Sequence, residues 1–377
     1  MATETIKVEK HDHDAVSDRG LLMTTSGGRR DLHELRSGIL AWCEEHRPEV
    51  AEAGIAELVH PTAGLSNETI IIRCHPGTDG APGLRLVLRL PPLIASFPDH
   101  DFGLQARVQA AASAGGIPTA EPITLEEDVR WLGVPFIVMP FVEGVIPGQA
   151  SLFDPWLTDA TAAQQREAQR EMVRVLAAIH RVDWRAVGLA ELLGTDEGGL
   201  RGQLDRWERF LSWATAGEPH PRIEAILAWC RAHQPTDAVQ PSLVWGDPRL
   251  ENLVVDEQRR TCAVLDWELA TIGPIEMDLG WFTGMELMLY ELTGMDPLRG
   301  FAPVDEVGRD LAEAIGRPLQ DPAWHRIFAV YRSICINLRQ AKISAEAGVA
   351  YPLAPGEANP LVPVVERWIA AHTTPSR

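Results

Sequence analysis

The hydrophobic pattern of this chain shifts from mainly strand-like to mainly helical near residue 143, and that shift limits its fold. Before it, short β-prone runs alternate with turn sequences; after it, apolar residues recur at helical spacing. We therefore predict an α+β fold with a small β-rich lobe at residues 31–142 and a larger, mainly helical lobe at 143–377. Residues 1–30 mix charge with Ser, Thr and Gly, and we expect them to form a mobile tail.

The first lobe is predicted to contain two helices and several strands. Asp31 is placed to cap a first helix that continues through residue 46, and a second helix covers residues 102–114. The strand-like runs are residues 55–60, 69–74, 84–90 and 134–142. Turn sequences separate the first three runs, which predicts an antiparallel meander.

The second lobe is predicted to be built from long helices. Helical spacing covers residues 157–181, 199–214, 221–233, 278–292, 304–315, 322–346 and 361–372. Residues 243–268 interrupt it with a strand, a loop and a second strand. The chain contains no internal repeat, no Walker A loop and no GxGxxG sequence.

Composition excludes several classes of partner. The net charge of −19 would repel a nucleic-acid backbone over most of the surface. No run of about 18 apolar residues occurs, and the charged start lacks the apolar stretch of a signal peptide, so we expect a cytoplasmic protein with no membrane contact. The five cysteines show no CxxC pair and are expected to be reduced.

The segment Leu243–Ala270 carries the residues most typical of chemistry. Asn252 opens a β-prone run, residues 257–260 make a turn, and a second run ends at Asp266. The ends of such a hairpin lie side by side, so Asn252 and Asp266 are predicted to meet with Cβ atoms roughly 5 Å apart. Asp247 lies on the loop that leads into the same end.

Three oxygen-bearing side chains at one point suit phosphoryl transfer. An amide oxygen beside a carboxylate suits Mg²⁺, a hard cation that prefers oxygen ligands and shares its coordination with substrate phosphates, so Asn252 and Asp266 are the candidate metal ligands. Asp247 is then the candidate catalytic residue, which accepts a proton from an incoming hydroxyl. An Asp-rich loop without catalytic function is the alternative.

The residues WGDPRLEN, followed by VLDWELATIGPIEMDLGW, resemble the catalytic loop and metal-binding segment of the aminoglycoside phosphotransferase family. They are most similar to its branch related to kinase domains attached to acyl-CoA dehydrogenases. The five-residue step from Asp247 to Asn252 matches the kinase pattern HRDxxxxN. The resemblance implies a two-lobed protein-kinase-like fold with ATP and Mg²⁺ in the cleft, Asp247 as the catalytic residue, and Asn252 and Asp266 as metal ligands.

The resemblance also implies nucleotide-binding residues in the first lobe. PTAGLSNETIII is similar to the family's phosphate-covering loop, in which Gly64 allows close backbone approach and Ser66 or Asn67 offers a polar contact. PFIVMPFVEG resembles the linker that pairs with the adenine edge through backbone groups. The linker residues that would bind the cofactor are Met139, Phe141 and Val142. A buried core strand is an equally valid description of this run.

Arg89 is the candidate phosphate-binding cation. LVLRLPP resembles the strand on which protein kinases carry a lysine, and Arg89 stands at that position. Lysine occurs only at Lys7, Lys10 and Lys342, so a cation in the middle of the chain must be arginine. An ordinary surface arginine is the alternative.

Two residues depart from the family pattern. Trp245 stands where the family has histidine, and Gln105 stands where a glutamate would pair with the phosphate-binding cation. We expect the first to alter packing under the loop and the second to remove an ion pair that would hold Arg89. By the same resemblance, Asp278 holds the catalytic loop through its backbone, and His180 is structural.

The acceptor is a small hydroxylated molecule that the sequence does not single out. The family name and the acidic charge favour an aminoglycoside. The branch resemblance and the apolar residues 281–289, if they line a pocket, favour an apolar hydroxylated compound such as a hydroxyacyl thioester. A nucleotide-binding pseudokinase or interaction module is the remaining alternative.

Overall fold

The structure, a computed structural model, describes residues 28–61, 67–77, 81–98, 101–148, 150–194, 199–235 and 241–373. The tail predicted at residues 1–30 lies outside these ranges except for its last three residues. Gly64 and Ser66 also lie outside them, so their predicted contacts with phosphate stay predictions.

The first part of the chain forms an antiparallel sheet of five strands, ordered β1-β2-β3-β5-β4. The strands are β1 (Ile55–Val59), β2 (Glu68–Cys74), β3 (Arg85–Leu90), β4 (Thr124–Glu126) and β5 (Phe136–Pro140). Three helices accompany them: α1 (Leu32–His46), α2 (Pro48–Ala53) and α3 (Phe102–Ala114). The predicted meander is confirmed as β1-β2-β3, whereas α2 and β4 were not predicted.

Helices cover both faces of this sheet, as consecutive residues of β5 show. Phe136 and Val138 belong to the apolar cluster that includes residues of α1, while Ile137 packs with Phe102 and Ala106 of α3. Neighbouring side chains on a strand point to opposite faces, so the sheet lies between the two helices. This explains why the run 134–142 contains apolar residues at consecutive positions.

The second part is mainly helical, as predicted. Its helices are α4 (Pro155–Thr158), α5 (Ala162–Arg181), α6 (Leu189–Leu193), α7 (Leu200–Ala214), α8 (Pro221–Ala232), α9 (Glu276–Thr293), α10 (Val304–Ile315), α11 (Pro322–Glu346) and α12 (Leu361–Thr373). Four short strands lie between α8 and α9: β6 (Ser242–Val244), β7 (Leu253–Val255), β8 (Thr261–Val264) and β9 (Thr271–Gly273). The α+β class is confirmed.

Capping residues set several helix ends. Asp31 accepts a hydrogen bond from the His33 N–H at 2.8 Å and begins α1, as predicted. The helix predicted at 157–181 is divided in two, because Thr161 and Gln164 form a capping box that begins α5 separately from α4. A helical period continues across such a break, so the pattern alone did not reveal it.

The loop that follows β3 is anchored on helices of the second part. Arg339 of α11 donates to the Ala95 carbonyl at 2.8 and 3.0 Å, and Gln340 donates to the Ser96 hydroxyl at 3.1 Å. The Phe97 ring packs against Phe210 of α7 at 5.6 Å between centroids. These contacts tie the sheet to the helical part beside the cleft.

Within the described ranges, no helix combines the length and apolarity needed to cross a bilayer.

Candidate active site

The catalytic loop runs from the end of β6 to the start of β7. β6 pairs with β9, and β7 pairs with β8 in a register that sets Leu253 opposite Val264. Asn252 closes a short 3-10 turn before β7, and its carbonyl accepts from the Leu265 N–H at 2.9 Å. Asn252 therefore lies opposite Leu265, one residue short of the predicted partner Asp266, as the register of β7 and β8 requires.

Asn252 donates twice to Asp247. Its Nδ2 lies 3.0 Å from the Asp247 carbonyl oxygen and 2.9 Å from Oδ2 of the Asp247 carboxylate. Both residues are buried. Since the amide nitrogen is committed to Asp247, the amide oxygen of Asn252 is the atom that remains for a cation.

Arg249 is a third polar member of the loop that the sequence reasoning missed. Its Nε and Nη2 lie 2.8 Å from the two carboxylate oxygens of Asp247, and its Nη1 lies 3.1 Å from Oε1 of Glu251. Burial alone would lower the pKa of Arg249, but the carboxylates of Asp247 and Glu251 raise it above its usual value. The sequence did contain a signal for this arrangement, because Arg249 lies two residues from Asp247 on one side and two residues from Glu251 on the other.

Asp278 holds the backbone that carries Asp247. Its carboxylate is fully buried and accepts from the Trp245 and Gly246 N–H groups, each at 2.8 Å. Nε2 of His180 lies 3.2 Å from the same carboxylate, and its Nδ1 lies 2.7 Å from the Ser242 hydroxyl. Hydrogen bonds to a buried charge contribute about 1.5–3 kcal/mol each, so this cluster fixes the loop strongly.

Trp245 connects the catalytic loop to the metal-binding segment. Its side chain is fully buried, and the indole N–H donates to the Leu265 carbonyl at 2.9 Å and to the Asp266 carbonyl at 3.2 Å. Asp266 itself has a φ of 59°, in the left-handed region. Trp245 thus supports the turn that carries Asp266. The altered packing expected from tryptophan at this position therefore consists of these two hydrogen bonds beneath the loop.

Arg89 and Asp266 face each other across the cleft. Nη2 of Arg89, on β3, lies 3.1 Å from Oδ1 of Asp266, and both side chains are largely buried. Gln105 of α3 accepts instead from Asn67, whose Nδ2 lies 3.3 Å from Gln105 Oε1 and 3.3 Å from Glu268 Oε2. The structure therefore brings Arg89 together with the predicted metal ligand and pairs Gln105 with the predicted phosphate-loop residue Asn67.

The predicted adenine linker follows β5. Met139 is buried and pairs with Val87, and its sulfur lies 3.8 Å from Nε2 of Gln109. The Phe141 N–H donates to the Arg85 carbonyl at 3.1 Å, and the Arg85 guanidinium lies 4.2 Å from the Phe141 ring centroid. Since this N–H is committed within the sheet, Val142 is the remaining candidate among the predicted linker residues after β5.

A second carboxyl cluster was not predicted. Glu286 of α9 accepts from the Ser151 hydroxyl at 3.0 Å and from the Tyr290 hydroxyl at 2.7 Å. Burial is the main cause that raises the pKa of Glu286 to about 7, and the charge of Glu251 acts in the same direction. Glu251 in turn pairs with Arg249 of the loop that carries Asp247.

The donor set fits Mg²⁺. Within the described ranges, no group of three or more His, Cys, Asp or Glu is arranged around one metal position. Mg²⁺ needs only one or two carboxylates because water and phosphate oxygens complete its shell. The amide oxygen of Asn252 and the carboxylate of Asp266 supply such a set, whereas a structural zinc site would need more ligands.

The fold and site define a kinase-like phosphotransferase, and the comparisons agree. The family described as "Phosphotransferase enzyme family" matches residues 57–326. That range covers most of the chain and both sides of the cleft. This chain belongs to that family, which confirms the resemblance to aminoglycoside phosphotransferases.

The relatives include large proteins that share only this part. Chicken acyl-CoA dehydrogenase family member 11 is 30% identical over 61% of this chain, and mouse acyl-CoA dehydrogenase family member 10 is 30% identical over 67% of it. The chain spans only 28% and 22% of the lengths of those two proteins. The similarity confirms the branch that the sequence motifs indicated.

Solved structures confirm the kinase-like fold. A Ralstonia eutropha protein assigned to the aminoglycoside phosphotransferases superposes with a TM-score of 0.67 at 26% identity, covering 89% of this chain and 98% of that one. The aminoglycoside phosphotransferase APH(4)-Ia, solved with ADP and hygromycin B, gives a TM-score of 0.54 at 13% identity, covering 89% and 98%. The second likeness concerns the fold alone.

Proposed function

We propose that this chain transfers the γ-phosphoryl group of ATP to a hydroxyl group of a small molecule, with Mg²⁺ as the metal. One observation carries the proposal. The Asn252 amide is oriented by two bonds to Asp247, so a buried carboxylate stands beside an amide oxygen that accepts no hydrogen bond from the described residues, at the end of one hairpin. That pairing suits a proton acceptor beside a metal ligand.

Each residue has a distinct proposed role. Asp247 orients the acceptor hydroxyl and takes its proton. Asn252 and Asp266 hold the metal, which neutralises charge on the nucleotide phosphates when it is bound. Arg89 binds those phosphates and exchanges its bond with Asp266 for bonds to the nucleotide, since a phosphate oxygen offers the same charge-assisted partner.

The nucleotide is proposed to lie against the linker and the phosphate-covering loop. Met139, Phe141 and Val142 would receive the base, and Gly64, Ser66 and Asn67 would approach the phosphates. Asn67 supports its part of this proposal because it contacts Glu268, two residues beyond Asp266, and thereby connects the loop to the metal-binding segment. The presence of ADP in the solved structure of APH(4)-Ia supports nucleotide binding by this chain.

The structure favours one class of acceptor over another. Trp281 and Phe282 are buried, and Met285 and Met288 pack against the core of the helical part, so residues 281–289 behave as a core helix. That removes one of the two supports for an apolar acceptor, while the similarity to the acyl-CoA dehydrogenase branch remains the other. The acidic net charge, together with Glu251, which is joined to Asp247 through Arg249, favours a polyhydroxylated or cationic acceptor such as an aminoglycoside.

A screen for acceptor-dependent ADP release tests the proposal. The panel contains kanamycin-like aminoglycosides, sugars, choline, homoserine and hydroxyacyl thioesters, with ATP or GTP as donor and with excess chelator as the metal control. We expect release that requires both an acceptor and Mg²⁺, and a phosphate ester on the acceptor by phosphorus NMR. Nucleotide binding without transfer to any panel member would favour a pseudokinase, and full activity in chelator would contradict the metal role.

A further inference from the structure

A buried arginine contacts the catalytic loop from the helical side. Arg332 of α11 is 3% exposed, and its Nη2 donates to the Gly246 carbonyl at 2.9 Å. No carboxylate of the described residues lies within 4.0 Å of its guanidinium, and its Nε is buried without a hydrogen-bond partner among them. A cation in such a place is costly unless other groups compensate for its lost hydration.

Two indole rings contribute to that compensation, together with the more distant charges of Asp278 and Asp247. The guanidinium carbon of Arg332 lies 4.9 Å from the centroid of Trp207 and 4.6 Å from the centroid of Trp281, both within cation–π range. Burial is the main cause that lowers the pKa of Arg332 to about 10, so the side chain stays charged at neutral pH. The chain thus uses two tryptophans to keep a charged donor beneath the loop.

The bond from Arg332 completes the fixation of Gly246. The φ of Gly246 is 94°, and a Cβ there would lie 2.2 Å from the Leu269 carbonyl oxygen, so only glycine fits. Asp278 binds its N–H and Arg332 binds its carbonyl. That carbonyl belongs to the peptide bond whose nitrogen is the backbone nitrogen of Asp247.

We propose that Arg332 is a positioning residue for Asp247. With Trp207 and Trp281 it fixes the plane of the Gly246–Asp247 peptide, and that plane sets the direction of the Asp247 carboxylate. The inference rests on the proposed role of Asp247. It differs from a purely structural role, in which Arg332 would stabilise the helical part without affecting the loop selectively.

Hydrogen exchange in the full chain tests the inference without requiring an acceptor. Arg332→Met removes the donor and the charge, and Arg332→Lys keeps the charge on a single ammonium. Arg166→Met is the matched control: Arg166 is also largely buried and joins α5 to Asp310 of α10 at 3.2 Å. Arg166 lies about 20 Å along α5 from His180, the residue of that helix that contacts the cluster beneath the loop.

We expect Arg332→Met to raise amide exchange in residues 243–252 roughly tenfold, Arg332→Lys to raise it less, and Arg166→Met to leave it unchanged. If Arg332→Met does not fold, Arg332→Lys decides the question. Exchange in residues 243–252 that rises no more than in the rest of the chain would overturn the proposal.

Turnover is a second measurement, and a purely structural role of Arg332 would not change it selectively. With an acceptor from the panel, Arg332→Met should reduce kcat roughly 100-fold, while calorimetry shows an unchanged dissociation constant for Mg·ATP. A parallel fall in binding and turnover would contradict the positioning role. If the wild-type chain transfers no phosphoryl group, the proposed function fails, and the exchange experiment still decides whether Arg332 holds the loop.

Discussion

The two sides of the cleft are held very differently. On the helical side, the backbone on either side of Gly246 is bound by Asp278 and Arg332, and the Trp245 indole holds the neighbouring metal-binding segment. On the sheet side, Arg89 has a bond to Asp266 and no glutamate on α3 to fix it, because Gln105 stands there and binds Asn67. The side proposed to activate the acceptor is preformed, while Arg89, the proposed phosphate-binding cation, is paired with the proposed metal ligand Asp266.

Because of this difference, substitutions on the two sides of the cleft should affect different steps of the proposed reaction. Rigid hydrogen bonds to the loop hold Asp247 in one geometry, which favours the transfer step. A cation paired with a carboxylate must change partners on binding, which affects nucleotide affinity. Substitutions on the helical side should therefore reduce kcat, and substitutions on the sheet side should reduce the affinity for Mg·ATP.

Asp247→Asn should produce the largest effect. The amide keeps the size of the side chain but cannot take the acceptor proton, so we expect phosphoryl transfer to fall roughly a thousandfold with Mg·ATP binding retained. Turnover and calorimetric titration on the same protein measure the two quantities. Asp159→Asn, at an exposed position in the turn after α4, is the control. A wild-type rate in Asp247→Asn would remove Asp247 from the mechanism.

Asp266→Asn should weaken the metal complex. Asparagine tolerates the left-handed φ of 59° at this position, so the variant removes the charge without straining the turn. We expect the affinity for ATP in the presence of Mg²⁺ to fall roughly 10- to 100-fold, and the affinity in chelator to change little. An unchanged Mg²⁺ dependence would place the metal elsewhere.

Arg89→Ala should weaken nucleotide binding to a smaller degree. Losing a charge-assisted hydrogen bond of about 2 kcal/mol corresponds to roughly a 30-fold loss of affinity. Arg89→Lys should be milder because it retains the charge. Titration of Mg·ATP into both variants measures the series. If both variants bind and turn over as the wild type does, Arg89 is an ordinary strand residue.

Glu286→Gln should change the pH dependence of stability. The pKa of Glu286 rises from 4.5 to about 7 on folding, so the folded protein favours the protonated carboxyl. The stability linked to that proton is fully present below pH 4.5 and is lost as the pH rises through about 7. Glutamine does not ionise, so the variant should gain about 2–3 kcal/mol relative to wild type between pH 5 and pH 8.

Urea unfolding at both pH values measures this change, with the exposed Glu313→Gln as the control. Equal stability differences at pH 5 and pH 8 would show that the Glu286 carboxyl titrates as it does in the unfolded chain.

The sequence predicted the fold in most respects because periodicity is a local signal. The helices at 304–315 and 322–346 match α10 and α11, and the meander matches β1-β2-β3. The short elements α2 and β4 were not predicted, because a hydrophobic period cannot be recognised over so few residues. The boundary between the lobes after Val142 stays a prediction.

The site was predictable only where its residues are close in sequence. Asp247, Asn252 and Asp266 fall within twenty residues, and their spacing carries the chemistry. Arg332 was missed because it reaches Gly246 from 86 residues away, and a lone arginine in a helix gives no local signal of burial. The one-residue offset of Asn252 follows from the register of β7 and β8, which includes an irregularity between Val254 and Val255 that no hydrophobic pattern specifies.

A structure with Mg²⁺ and a non-hydrolysable ATP analogue tests the central claim most directly. We predict that Arg89 leaves Asp266 and binds the phosphates, that Asp266 and Asn252 contact the metal, and that the bonds of Gly246 to Asp278 and Arg332 stay in place. A nucleotide bound outside the cleft, or an Arg89 still paired with Asp266 beside a bound Mg·nucleotide, would contradict the account.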